Sequence, residues 1–174
     1  MKTAFIGHRK IFADNLDKRL IEAIKIEIGN GCNSFIMGTH GQFDTLALRA
    51  CRQLRKEYEN LDIEVALTSL HAINKDSEYG DAPYSDVKTV MYDIDDVHFK
   101  RQISMSNRHM IDECDTLICY VEEKYYMGGA KRALRYAEEK GLKIVNLWQD
   151  EDNPFYGMTQ SEIIAYIRSS WNKI

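Results

Sequence analysis

The chain has 174 residues, 44% apolar and 29% charged. That is an ordinary globular composition, long enough for one domain with a full core, and it excludes a disordered or fibrous chain. The net charge of −4 argues against a protein that coats nucleic acid through bulk positive charge. No apolar run approaches the roughly 18 residues that span a bilayer. The run in MKTAFIGHRK is too short for a signal peptide. Cys32, Cys51, Cys114 and Cys119 form no CxxC pair, so a reduced, cytoplasmic protein with structural thiols is expected.

Apolar runs and amphipathic stretches alternate along the chain. Thr3–Ile6, stopped by Gly7, predicts a first strand. Leu16, Leu20, Ala23, Ile24 and Ile28 predict a helix, with Asp14 as its cap and Gly29 to Gly31 as its stop. Ser34–Met37 reads as a second strand, Gly38 to Asp44 as a loop, and Ala47, Ala50, Cys51, Leu54 and Tyr58 as a helical stripe. Ile63–Leu67 reads as a third strand. Residues 71–97 then break the rhythm with Asp76, Glu78, Asp81, Asp86, Asp93, Asp95 and Asp96, and predict a long, irregular acidic excursion or lid.

The alternation resumes with a third helix marked by Phe99, Ile103, Met110 and Cys114 and a fourth strand, Thr116–Val121. A helix carrying Ala130, Ala133, Leu134 and Ala137 follows and stops at Gly141. Ile144–Leu147 predicts a fifth strand. Thr159 and Glu162 have capping-box spacing before a last helix. The pattern predicts a single α/β domain over 1–174. It would be Rossmann-like and doubly wound, with a mainly parallel five-stranded sheet and helices on both faces.

Ligands of such sheets sit outside the carboxyl ends of the strands. Three loops there carry glycine: Gly7-His8-Arg9, Gly38-Thr39-His40-Gly41 running into Asp44, and Gly128-Gly129 before a helix. Glycine turns at helix starts suit a phosphate. Neither a GxGxxG fingerprint nor a Walker P-loop is present.

The strings GHR, GTHGQFDTLA, SNRHMIDECDTLI and GGAKRALRYAEEKGLKI, in this order, resemble the SLOG superfamily. That is the Rossmann-like group of the Smf/DprA and LOG proteins, and the YpsA-like branch is the part most similar. The resemblance covers roughly Thr3 to Leu147. It implies a nucleotide or nucleotide-derived ligand, such as ADP-ribose or a nucleotide sugar, at the ends of the first, second and fourth strands. Gly7, His8, Arg9, Gly38, Gly41, Asp44, Arg108, Gly128 and Gly129 match its motifs. LOG enzymes carry P-G-G-x-G-T-x-x-E there, and the position of their glutamate falls on Arg135, which argues against phosphoribohydrolase activity.

Each candidate also has a bland reading. Arg9 suits bidentate phosphate recognition or a surface ion pair. His8 could stack on a base or pack inward. Asp44 could meet a ribose hydroxyl or simply cap the second helix. Thr39 and His40 belong to the same loop, and His40 could equally be exposed. Asn107 sits near an apolar stripe and needs a partner; it and Arg108 could face the pocket. Lys131 and Arg132 oppose the dipole of their helix, which favours a nearby anion. Tyr125 and Tyr126 could close over a base. Asp93, Asp95, Asp96 and His98 fit no metal-loop spacing, so no metal and no cofactor is expected.

The expected function is binding of a small nucleotide-like ligand in a sensing or regulatory role. A first alternative is a nucleotide hydrolase whose carboxylate base comes from the acidic excursion rather than the usual glutamate, with Asp44 and Asp112 as the other candidates. A second alternative is binding of single-stranded nucleic acid, against which the charge and the lack of a basic-aromatic groove speak. No membrane partner is expected. Homo-oligomers are common in the family, but no feature here sets a subunit number.

Overall fold

The computed structural model describes residues 1–68, 84–92, 94, 98–124 and 128–171, without the side chains of 99, 100 and 166–171. Its strands are β1 (Lys2–Gly7), β2 (Ser34–Met37), β3 (Asp62–Leu67), β4 (Lys88–Met91), β5 (Thr116–Tyr120) and β6 (Lys143–Asn146). Its helices are α1 (Leu16–Gly29), α2 (Gln42–Leu54), α3 (Phe99–Asp112), α4 (Gly129–Lys140) and α5 (Gln160–Trp171). Every strand pair is parallel, in the order β4-β3-β2-β1-β5-β6.

Side-chain alternation along β1 divides the core. Phe5 joins Phe35, Met37, Phe43 and Tyr120 against α1 and α2. Ala4 and Ile6 join Met110, Ile111, Leu134 and Ala137 against α3 and α4. Both faces of the sheet are therefore covered, which explains why β1, β2 and β5 read as unbroken apolar runs. Cys32, Cys51 and Cys119 are buried, and all four thiols are free. Among the described residues no helix is long and apolar enough to cross a membrane.

The sheet has six strands, not the five expected. The extra one, β4, lies inside the stretch 71–97 read as irregular. Its sequence KTVM is mostly exposed because it forms the sheet edge, so it lacks the apolar run that marks a central strand. Two ionic contacts hold it. Glu64 of β3, 4% exposed, lies 2.7 Å from Lys88 Nζ and 2.8 Å from Lys2 Nζ. Asp86 accepts hydrogen bonds from Arg52 Nε at 3.1 Å and Arg55 Nη2 at 2.6 Å. The remaining acids of the predicted excursion (Asp76, Glu78, Asp81, Asp93, Asp95 and Asp96) lie outside the described residues, as do Tyr125 and Tyr126.

Termini follow the chemistry closely, with one correction. Asp14 does not cap α1; the cap position is Asn15, which makes no side-chain cap bond. Gly141 takes φ +77 after α4, and Leu142 N–H donates to the Ala137 carbonyl at 3.1 Å, a left-handed stop that favours glycine. Glu162 accepts the Thr159 N–H at 2.7 Å, the predicted capping box.

Candidate functional site

The chain lays β2, β3 and β4 outward on one side of β1, then returns to place β5 on the other side. The loops leaving β1 and β5 therefore part in opposite directions and leave a crevice between them. A cavity of about 290 Å³ occupies this position. Arg9, Gly41 and Gly129, far apart in sequence, all border it.

From the loop after β1 come Gly7, His8 and Arg9. A Cβ at Gly7 would lie 2.4 Å from the Phe43 ring, so glycine here lets Phe43 close over the strand end. His8 is tied inward. The Glu122 N–H donates to its Nε2 at 2.8 Å, and its ring meets Tyr120 and Trp148 edge-on at 6.1 and 5.8 Å. Burial holds its pKa below the ordinary imidazole value, so it is neutral with Nε2 as acceptor. Arg9 is exposed, and its guanidinium has no hydrogen bond or ion pair among the described residues.

From the loop after β2 come Gly38, His40, Gly41 and Asp44. Asp44 stands at the third position of α2, and its Oδ2 accepts the N–H groups of His40 and Gly41 at 2.8 and 3.1 Å. Burial pushes its pKa up to about 6, against the pull of those two N–H groups and of Arg9. His40 Nε2 lies 3.0 Å from Thr68 Oγ1 at the end of β3. Burial, helped by the charge of Arg9, lowers its pKa. Gly41 brings the two loops together: a Cβ there would sit 3.0 Å from Arg9 Cα. Thr39 does not border the cavity, and its buried hydroxyl lacks a partner among the described residues.

The opposite wall is built by α3 and the start of α4. Asn107 borders the cavity, as do Ser106 and Ile103. Ser106 is only 3% exposed; a serine at helical spacing between Ile103 and Met110, in the apolar stripe of α3, is the sequence signal that marks it. Arg108 points elsewhere. Its guanidinium lies 5.0 Å over the Tyr136 ring on α4 and is exposed, because one residue along a helix turns the side chain by about 100° from Asn107. Gly129 borders the cavity and Gly128 does not. A Cβ at Gly129 would meet nothing within 4 Å. Gly128 is the extended cap residue of α4, which has no side-chain cap bond and no acid in its first turn. That end offers unpaired N–H groups and a positive dipole end to an anion. Lys131 Nζ instead donates to the Glu123 carbonyl. Among the described residues no three His, Cys, Asp or Glu side chains gather to hold a metal.

No family model and no curated protein matches the chain. Among solved structures it is similar to DNA processing protein A from Helicobacter pylori. The TM-score is 0.58 and the identity 15%, covering 83% of this chain and 63% of that one. At that identity the likeness is one of fold, and the chain spans less than two thirds of that protein's length. The protein it resembles binds single-stranded DNA in a mode described as unique.

Proposed function

We propose that the cavity between the ends of β1 and β5 binds a phosphate-bearing nucleotide unit, and that the unit belongs to single-stranded nucleic acid. The observation that carries this reading is Arg9, an exposed guanidinium without an ion pair among the described residues, at a cavity that also borders the uncapped start of α4. Guanidinium and helix N–H groups together match a phosphate. The fold likeness to a protein that binds single-stranded DNA supports a strand as the source. It also revises the expectation against nucleic acid drawn from the net charge of −4, because a sum over the chain does not describe one rim. Asp44, Asn107 and the backbone of Gly38, Gly41 and Gly129 would hold the sugar and phosphate. Thr39, Arg108 and Gly128 would not touch them. The free thiols suit a reducing cytoplasm.

A second reading is a free nucleotide or nucleotide derivative, sensed by a YpsA-like protein. The cavity's size favours it, since about 290 Å³ lies near the lower end of the small-molecule range, about 300–1,000 Å³. Hydrolysis has less support, since Arg135 stands on α4 where LOG enzymes carry glutamate. The test is a titration of the protein with fluorescein-labelled oligothymidylate, beside calorimetric titrations with AMP and with ADP-ribose. Arg9→Ala should weaken strand binding by about 1.5–3 kcal/mol, as loss of a charged hydrogen bond does. Unchanged affinity removes the cavity from the binding surface. Tight binding of AMP or ADP-ribose without any strand binding selects the second reading.

A further inference from the structure

Beyond the cavity, α3 and α4 meet along a basic seam. Arg108 of α3 lies over Tyr136 of α4, and Tyr136 Oη donates to Asp112 Oδ1 at 2.8 Å. Lys140 Nζ lies 2.6 Å from the same oxygen. Arg108–Tyr136 and Asp112–Lys140 share one offset in sequence, so the helices run parallel, and both border the cavity toward their N-terminal ends, α3 from Ile103 and α4 from Gly129. Arg101 precedes Arg108 by about two helical turns and so lies on the same face, closer to the rim. Arg132 precedes Tyr136 by about one turn and lies on the face of α4 that meets the seam.

Arg101 and Arg132 are exposed, and neither has an ion pair among the described residues. Two acids of the described residues lie along this seam, both toward its far end: Asp112, already bound by Lys140 and Tyr136, and the exposed Glu139, two helical turns beyond Arg132. Arg132 also stands in the first turn of α4, where no acid offsets it and the helix dipole disfavours a cation. Across the cavity Arg9 and Lys10 are exposed. In a chain of net charge −4, these cations form, among the described residues, a local basic track with the cavity in its middle.

We propose that the α3–α4 seam is an interaction surface for single-stranded nucleic acid. A strand whose central nucleotide occupies the cavity would lay its neighbouring phosphates over Arg101 and Arg132. This rests on the cavity reading and adds to it that the ligand is several nucleotides long.

The experiment is fluorescence anisotropy with labelled dT4 and dT20 across a salt series. It uses the unaltered chain, the double variant Arg101→Ala/Arg132→Ala, and Arg9→Ala. Both seam arginines are exposed, so the double variant should keep its circular-dichroism melt. The expected result is about a tenfold or greater loss of dT20 affinity at low salt and a log–log salt slope shallower by about 1.4, the share of two phosphate contacts on a single strand. Binding of dT4 should be unchanged in the double variant and lost in Arg9→Ala. An unchanged dT20 affinity and slope in the double variant overturns the seam, whatever Arg9→Ala does. Unchanged dT4 binding in Arg9→Ala overturns the cavity reading instead. Displacement of dT20 by polyglutamate as readily as by unlabelled dT20 would show a general acidic-polymer surface and overturn the assignment to nucleic acid.

Discussion

Asp44 shows how one side chain carries two duties. It closes the start of α2 by accepting two loop N–H groups, and burial raises its pKa to about 6 from an ordinary 3.8. A carboxyl raised in the folded state favours folding below its unfolded pKa, and that contribution is lost as pH rises through the folded one. Stability should therefore fall between about pH 4 and 6 by up to about 3 kcal/mol from this group. In Asp44→Asn the amide oxygen can still accept the N–H groups, so urea denaturation across this window should lose that slope. A difference between the two proteins that stays constant with pH would contradict the assignment. Gly7 and Gly129 make a contrasting pair. Gly7→Ala drives a methyl into the Phe43 ring and should destabilise by about 1–3 kcal/mol, read as a lower melting temperature. Gly129→Val meets open space, so it should keep the melt and lose ligand. Unfolding of Gly129→Val would assign that glycine to the turn alone.

Among the elements, β4 depends most on ionic contacts. It is a short edge strand, largely exposed, joined to β3 by its ladder and by Glu64 between Lys2 and Lys88. Burial opposes ionisation of Glu64, but the two lysines hold its pKa below the usual carboxylate range. Glu64→Ala leaves Lys2 without that partner and should cost about 1–3 kcal/mol, with hydrogen exchange rising first in β4. Uniform exchange across the sheet would show that β4 does not open separately. The same element marks a limit of pattern reading. Periodicity reports burial, and KTVM is buried too little to leave a trace, whereas SFIM and TLICY are buried on both faces and stand out as apolar runs.

Across the molecule, a largely buried ion pair ties the first helix to the last third of the chain. Arg19 of α1 donates to Asp152 at 2.8 and 3.0 Å and to the Leu147 carbonyl at 2.8 Å. Asp152 is 8% exposed and keeps, among the described residues, only the Gln149 N–H at 3.0 Å when the guanidinium is removed, so Arg19→Ala should cost about 2–3 kcal/mol. Denaturant midpoints measure this, and a loss below 1 kcal/mol would mean that the segment after β6 is held by other contacts. The pair lies on the α1 side of the sheet, away from the α3–α4 seam, so such a variant should keep the salt slope of strand binding.

Alternating apolar runs, glycine stops and capping residues were enough to yield the layered α/β class, the interior strands and the loops that border the cavity, because each is encoded within a few neighbouring residues. Which side chains face the cavity was settled only by the assembled fold. His8 is drawn to Glu122 and Arg108 to Tyr136 by partners distant in sequence. Local pattern carries a residue's own burial and turn preference, whereas the direction of a side chain depends on what crosses the sheet to meet it.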